Sequence, residues 1–140
     1  MQFHGKCHCG NISYSYDVPG DDDHLSVRIC DCSFCQKHGG IYTSQADGAL
    51  NAAIEDDGAV VRYRFGTETA DFYICSRCGV MPFAISDIDG AAFAIVNINS
   101  LDDLRPDRIL PTPVSFQGEN LEDRLARRKR YWVGQVSIES

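Results

Sequence analysis

The chain has 140 residues, the size of one ordinary domain, with 44% hydrophobic and 24% charged residues. That mix supports a real core and argues against a disordered or fibrous chain. A formal net charge of −7 lacks the basic footprint that phosphate contacts need, so neither nucleic acid nor an anionic membrane is expected as a partner. The first residues, Met1 to Lys6, show no apolar leader segment, and the longest strongly apolar stretch, Ala91 to Ile98, is too short to span a bilayer. The expected location is the cytoplasm, where thiols stay reduced and clustered cysteines more often bind metal.

The region from Gly5 to Tyr16 reads as a strand pair or one bent strand, with Ile12, Tyr14 and Tyr16 alternating against Ser13 and Ser15. Pro19-Gly20-Asp21-Asp22-Asp23 reads as a solvated turn. Leu25, Val27 and Ile29 alternate again and lead into Cys30. A short strand is expected over Ile41 to Gln45, and a turn-rich acidic segment from Ala46 to Gly58. Val60 to Phe65 and Thr69 to Ile74 pair as a hairpin across Gly66-Thr67. Phe83 to Ser86 and Ala91 to Ile98 pair across Asp87-Ile88-Asp89-Gly90, a turn of favoured chemistry.

Ser100, followed by Asp103 three residues on, predicts the start of a helical turn. Pro106, Pro111 and Pro113 predict an extended segment after it. Asn120 is placed to cap a final helix carrying Leu121, Leu125 and Trp132 on one side. Arg124, Arg127, Arg128, Lys129 and Arg130 share that stretch and read as a solvated helical face in preference to a dedicated anion site. The sum is one mainly β domain over residues 1–140, of short antiparallel strands with a small C-terminal helix.

Seven cysteines organise this scaffold, and an odd count argues against a complete internal disulfide set. Cys7 and Cys9 are two residues apart, which in a strand puts both thiols on one face. Cys75 and Cys78 form a CxxC turn followed by Gly79, which permits a positive φ. Each pair is half of a tetrahedral Cys₄ site, and the two together complete one. Between them Cys30, Cys32 and Cys35 gather three thiols in six residues, able to hold one face of a second zinc ion with a fourth position left for water or substrate. His38, three residues beyond Cys35, is spaced to close that position as a Cys₃His site, so spacing leaves the open and closed forms both standing. The histidines His4, His8 and His24 read as surface residues. Redox and iron–sulfur uses fit less well: the CxxC pairs show no βαβ context and match no ferredoxin spacing. Seven thiolates around two Zn²⁺ ions would add three negative charges, taking the chain to about −10.

At these cysteines the sequence resembles the glutathione-dependent formaldehyde-activating enzymes, also known as the centromere-protein-V domain family. The residues that carry the likeness are Gly5-Lys6-Cys7-His8-Cys9-Gly10, Cys30-Asp31-Cys32-Ser33-Phe34-Cys35-Gln36-Lys37 and Phe72-Tyr73-Ile74-Cys75-Ser76-Arg77-Cys78-Gly79, with Val96-Asn97-Ile98-Asn99 and Leu101-Asp102 as a later echo. It covers about residues 3–105 and leaves 106–140 as a C-terminal extension. The resemblance implies a β-tent zinc fold with two zinc ions per chain. It assigns Cys7, Cys9, Cys75 and Cys78 to a structural zinc, and Cys30, Cys32 and Cys35 to a catalytic zinc. It further implies condensation of glutathione with formaldehyde to S-(hydroxymethyl)glutathione, a carbon–sulfur lyase reaction when run in reverse. Lys37, Arg77 and the Arg124–Arg130 stretch are the cations available to glutathione's carboxylates, and Asp31 and His38 the nearest candidate bases. The competing expectation is a non-catalytic scaffold with both zinc sites structural.

Overall fold

The computed structural model describes residues 1–20 and 24–140; Asp21, Asp22 and Asp23 of the expected acidic turn lie outside the described residues. Eleven strands are assigned among them. They are β1 (Gln2–Lys6), β2 (Ile12–Asp17), β3 (Leu25–Cys30), β4 (Ile41–Thr43), β5 (Ala49–Ile54), β6 (Val60–Tyr63), β7 (Asp71–Cys75), β8 (Phe83–Ile88), β9 (Ala91–Asn97), β10 (Ile109–Val114) and β11 (Gln135–Glu139). Two helices join them, α1 (Ser33–His38) and α2 (Leu121–Tyr131). The strands form a four-stranded sheet, β1-β2-β5-β11, and a seven-stranded sheet, β10-β3-β4-β9-β8-β7-β6. The mainly β, short-stranded architecture with a small C-terminal helix is thus as expected. The pairing is antiparallel throughout except at two sheet edges, where β10 runs parallel to β3 and β11 parallel to β5.

Period-2 burial explains how the sheets face each other. In the small sheet Phe3, Ile12, Tyr14, Tyr16, Leu50, Ala52 and Ile54 point inward. They meet Leu25, Val27, Tyr73, Phe83, Ile85, Ala94 and Val96 from one face of the large sheet. The residues between these, including Phe72, Ala84 and Ile95, point to the other face of the large sheet and form a second apolar cluster with Met81, Cys35, Tyr42 and Trp132. The seven-stranded sheet is therefore covered on both faces, by the small sheet on one side and by the two helices on the other. The 89–90 turn has φ values of 53° at Asp89 and 84° at Gly90, the paired left-handed geometry of a two-residue hairpin.

Four expectations need correction. The segment 46–58 contains β5, an interior strand of the small sheet: buried Leu50, Ala52 and Ile54 alternate with exposed Asn51 and Ala53. Alanine and asparagine are poor strand formers, so only the pairing with β2 and β11 reveals it. No helix starts at Ser100; a short 3₁₀ turn ends there, and the Ser100 hydroxyl instead bonds Asn97 O at 2.7 Å and the Tyr14 hydroxyl at 2.6 Å. Ile29 is exposed despite its place in the alternation, at the end of β3 beyond the buried Leu25 and Val27. β11 was not foreseen as an element.

The proline-rich segment becomes β10 on the outer edge of the large sheet. Pro111 and Pro113 are two apart, so both missing N–H groups fall on its open side.

Candidate metal centres and the adjoining cavity

The outer cysteines converge as the spacing predicts. Cys7 and Cys9 sit in the turn between β1 and β2 rather than within a strand, and Cys75 and Cys78 at the end of β7 and in the turn after it. Gly10 (φ 88°) and Gly79 (φ 80°) end the two turns in the left-handed conformation, and the Gly79 N–H donates to Cys75 O at 2.7 Å. The Sγ atoms of Cys7 and Cys9 lie 3.8 Å apart, and those of Cys9 and Cys75 3.5 Å. A tetrahedral zinc with sulfur at about 2.3 Å separates its ligands by about 3.8 Å, so this set fits the ion. The site bridges the end of the small sheet to the end of the large one.

The inner set is built from a single strand-to-helix junction. Cys30 ends β3, Cys32 caps α1 with its sulfur 3.3 Å from the Cys35 N–H, and Cys35 lies buried in the first turn. The CxxC pair thus begins a helix, but the flanking strands β3 and β4 are antiparallel, so it stands in no βαβ unit. The three sulfurs lie within 4.8 Å of one another, and no other histidine, cysteine or acidic atom among the described residues joins the group. His38 is spaced to close it but turns away. Its ring stacks on Phe34, with centroids 5.2 Å apart and planes at 11°. His4, His8 and His24 are exposed, as expected.

Thiols this close cannot all ionise without a cation. Cys30 is drawn down to about 6 by its hydrogen bond with Cys35, and Cys35 is pushed up by the same contact together with burial. In the outer set burial raises Cys7 to about 12. At Cys78 burial acts upward but is outweighed by N–H groups of Val80 and Cys9 and by neighbouring thiols, which take it to about 6. Both sets thus have the chemistry of soft cation sites, in which a metal resolves the conflict by deprotonating every ligand. Tyr42 places its hydroxyl 3.2 Å from the Cys35 sulfur, and burial, with Cys35 beside it, raises that phenol. It is therefore the donor when Cys35 is a thiolate.

A cavity of about 210 Å³ opens beside Cys30, Cys32 and Cys35 on the helix-covered face of the large sheet. Phe65, Phe72, Phe116 and Trp132 make much of its wall. Arg28 enters from β3, two residues before Cys30 and so on the same face. Arg124, Arg127 and Arg128 enter from α2, whose N-terminus Asn120 caps through Asp123 N at 2.8 Å. This overturns the expected solvated face for these three. Arg128 is 7% exposed, whereas Leu121, expected to pack inward, is 47% exposed. The spacing i, i+3, i+4 of Arg124, Arg127 and Arg128, with Trp132 one turn on, was the available signal. Lys129 and Arg130 do stay outside, Lys129 paired with Asp89. Lys37 and Arg77 do not line this cavity, and Arg77 pairs with Asp56 at 2.7 Å. Asp31 lines it, and its Oδ1 is buried without a hydrogen-bond partner among the described residues.

The model of the glutathione-dependent formaldehyde-activating enzyme family matches residues 2–118. The chain belongs to that family. The match takes in all seven cysteines and β10, and it stops before α2. The chain is also similar to a crystal structure of a Rhodobacter sphaeroides protein, with 27% identity and a TM-score of 0.53 over 80% of this chain and 100% of that one. Among the described residues no helix is long and apolar enough to cross a membrane.

Proposed function

We propose that this chain is a cytoplasmic, zinc-dependent carbon–sulfur lyase that makes or breaks the adduct of a glutathione-like thiol and an aldehyde such as formaldehyde. One observation carries the reading: three thiols form a ligand set on a cavity wall while His38, the one residue spaced to complete it, is stacked elsewhere. In this reading Cys7, Cys9, Cys75 and Cys78 hold a structural zinc, and Cys30, Cys32 and Cys35 hold a catalytic one. A zinc ion with three thiolate ligands would supply charge stabilisation for the substrate sulfur, which reacts only as thiolate.

The chain's own groups supply the rest. Asp31 Oδ1 is the acceptor for the hydroxyl proton of the adduct. As that proton leaves, the C–O bond becomes C=O and the C–S bond breaks with its electron pair on sulfur; synthesis runs the same steps backwards. Tyr42 holds the Cys35 sulfur in place, and the aromatic side chains make much of the wall beside it apolar. The competing scaffold reading requires a fourth protein ligand on the inner set, and the stacking of His38 on Phe34 counts against it.

The test is the exchange rate between formaldehyde, glutathione and their adduct, read by NMR magnetisation transfer. Wild-type protein with two zinc ions per chain should accelerate exchange, and Cys35→Ser should not. Equal rates would discard the catalytic reading, and one zinc per metal-replete chain would discard the two-site model.

A further inference from the structure

Arg128 is buried to better than nine-tenths, yet its charge has no carboxylate partner among the described residues. Its Nη1 donates to the hydroxyls of Thr69 (2.7 Å) and Ser86 (3.1 Å), and its guanidinium lies 4.9 Å over the Trp132 ring. These contacts fix the group while leaving its Nε–Nη2 edge without a protein acceptor among the described residues, where Nε is one of the few buried polar atoms with no partner. That edge is the one arginine uses to bind a carboxylate side-on through two parallel hydrogen bonds. Arg28 faces the same cavity, also without a carboxylate among the described residues, and is held by the Ser44 hydroxyl.

The neighbouring arginines make the contrast clear. Arg124 and Arg127 share Glu119, which accepts from Arg124 Nε at 3.2 Å and from Arg127 Nε and Nη2 at 3.0 Å each. Four arginines therefore face two carboxylates, Glu119 and Asp31. A zinc ion on three thiolates adds one more negative charge, which leaves the surroundings of the cavity with one uncompensated positive charge. Burying a cation in a largely apolar cavity is costly unless an anion completes it.

We propose that the Nε–Nη2 edge of Arg128, with Arg28 beside it, is the subsite for a carboxylate on the substrate thiol. The substrates are then mercaptocarboxylates and their aldehyde adducts. This rests on the lyase reading of the inner cysteines and adds to it the chemistry of recognition. Arg128 stands on α2, beyond residue 118 where the family match ends, whereas Arg28 on β3 lies within the match.

The experiment measures binding to the zinc-loaded protein by calorimetry, using ω-mercaptocarboxylates of two to six carbons, each beside its neutral amide. The S-methylated forms of both are measured as well. At one chain length wild type should prefer the acid by about tenfold to hundredfold, as charge-assisted hydrogen bonds do. In Arg128→Gln the preference should fall within about threefold of unity, Arg28→Gln should reduce it, and Arg128→Lys should keep part of it. Circular dichroism and zinc content establish that each variant is folded and loaded. Because the Gln variants act through separate elements, misfolding of one leaves the other decisive. No preference at any length, or a preference unchanged in both Gln variants, overturns the subsite. Sulfate binding as tightly as the best S-methylated acid overturns its assignment to an organic carboxylate. An Arg128-dependent preference among S-methylated acids that a free thiol does not strengthen upholds the subsite and defeats the zinc–thiol reading instead.

Discussion

The two cysteine sets differ in what they hold together, and that difference is measurable. The outer set joins residues 66 positions apart, Cys9 to Cys75, and ties one sheet to the other. The inner set closes only Cys30 to Cys35. Treating each metal as a cross-link on the unfolded chain gives a loop-closure contribution of about 4 kcal/mol for the outer set and about 2 kcal/mol for the inner. With an unfolding entropy of about 2.1 cal/mol/K per residue, these become losses of about 15 °C and about 7 °C in Tm. The comparison is between Cys9→Ser/Cys78→Ser and Cys30→Ser/Cys32→Ser, which spare the fully buried thiols Cys7, Cys75 and Cys35 and so keep packing losses small. Scanning calorimetry in zinc-replete buffer, with metal counted per chain, reads both. Each pair should lose one zinc, and only the inner pair should lose exchange activity while staying folded at 25 °C. Equal Tm losses, or a larger loss from the inner pair, would refute the assignment of the outer set as the structural tie.

Three other outcomes follow from named contacts. Tyr42→Phe removes the hydroxyl 3.2 Å from the Cys35 sulfur, so the inner zinc should pass to a competing chelator about tenfold more readily while the outer one is unaffected. Gly5→Ala puts a methyl 2.3 Å from the Tyr14 ring and hydroxyl and 2.6 Å from Ser100 O, breaking a buried hydrogen bond. Denaturant titration should show a loss of about 3 kcal/mol from overpacking and the lost bond together. Arg127 first, with Arg124, holds the Glu119 carboxylate below its usual range. A depressed carboxylate stabilises the fold above the unfolded value and loses that contribution as pH falls through the folded one. Acid titration of the α2 signal should therefore show a weakening below about pH 4.3 that Glu119→Gln abolishes; a pH profile unchanged in the variant would place the acid sensitivity elsewhere.

The sequence by itself determined the chemistry that is local in the chain. Cys30, Cys32 and Cys35 lie within six residues, so any turn that brings them together presents the same three sulfurs. The CxxC-Gly turn and the Asp89-Gly90 hairpin likewise carry their backbone conformations in their own residues. Alternation over β2 and at Leu25 and Val27 of β3 marked the core face, because burial in a sheet repeats every two residues.

Only the tertiary structure decided what depends on partners distant in sequence. β5 is a strand because β2 and β11 flank it, not because Ala52 and Ala53 prefer one. Spacing left His38 free to ligate or not; stacking with Phe34, itself packed on Phe65 and Phe72, carried its ring away. Most of all, the arginines of α2 looked like a solvated face because charge in a helix is ordinarily exposed. Arg128 is instead buried against Thr69, Ser86 and the cavity beside Cys30, all remote along the chain. Short-range spacing thus set the cluster of Cys30, Cys32 and Cys35, while long-range packing set what stands opposite it.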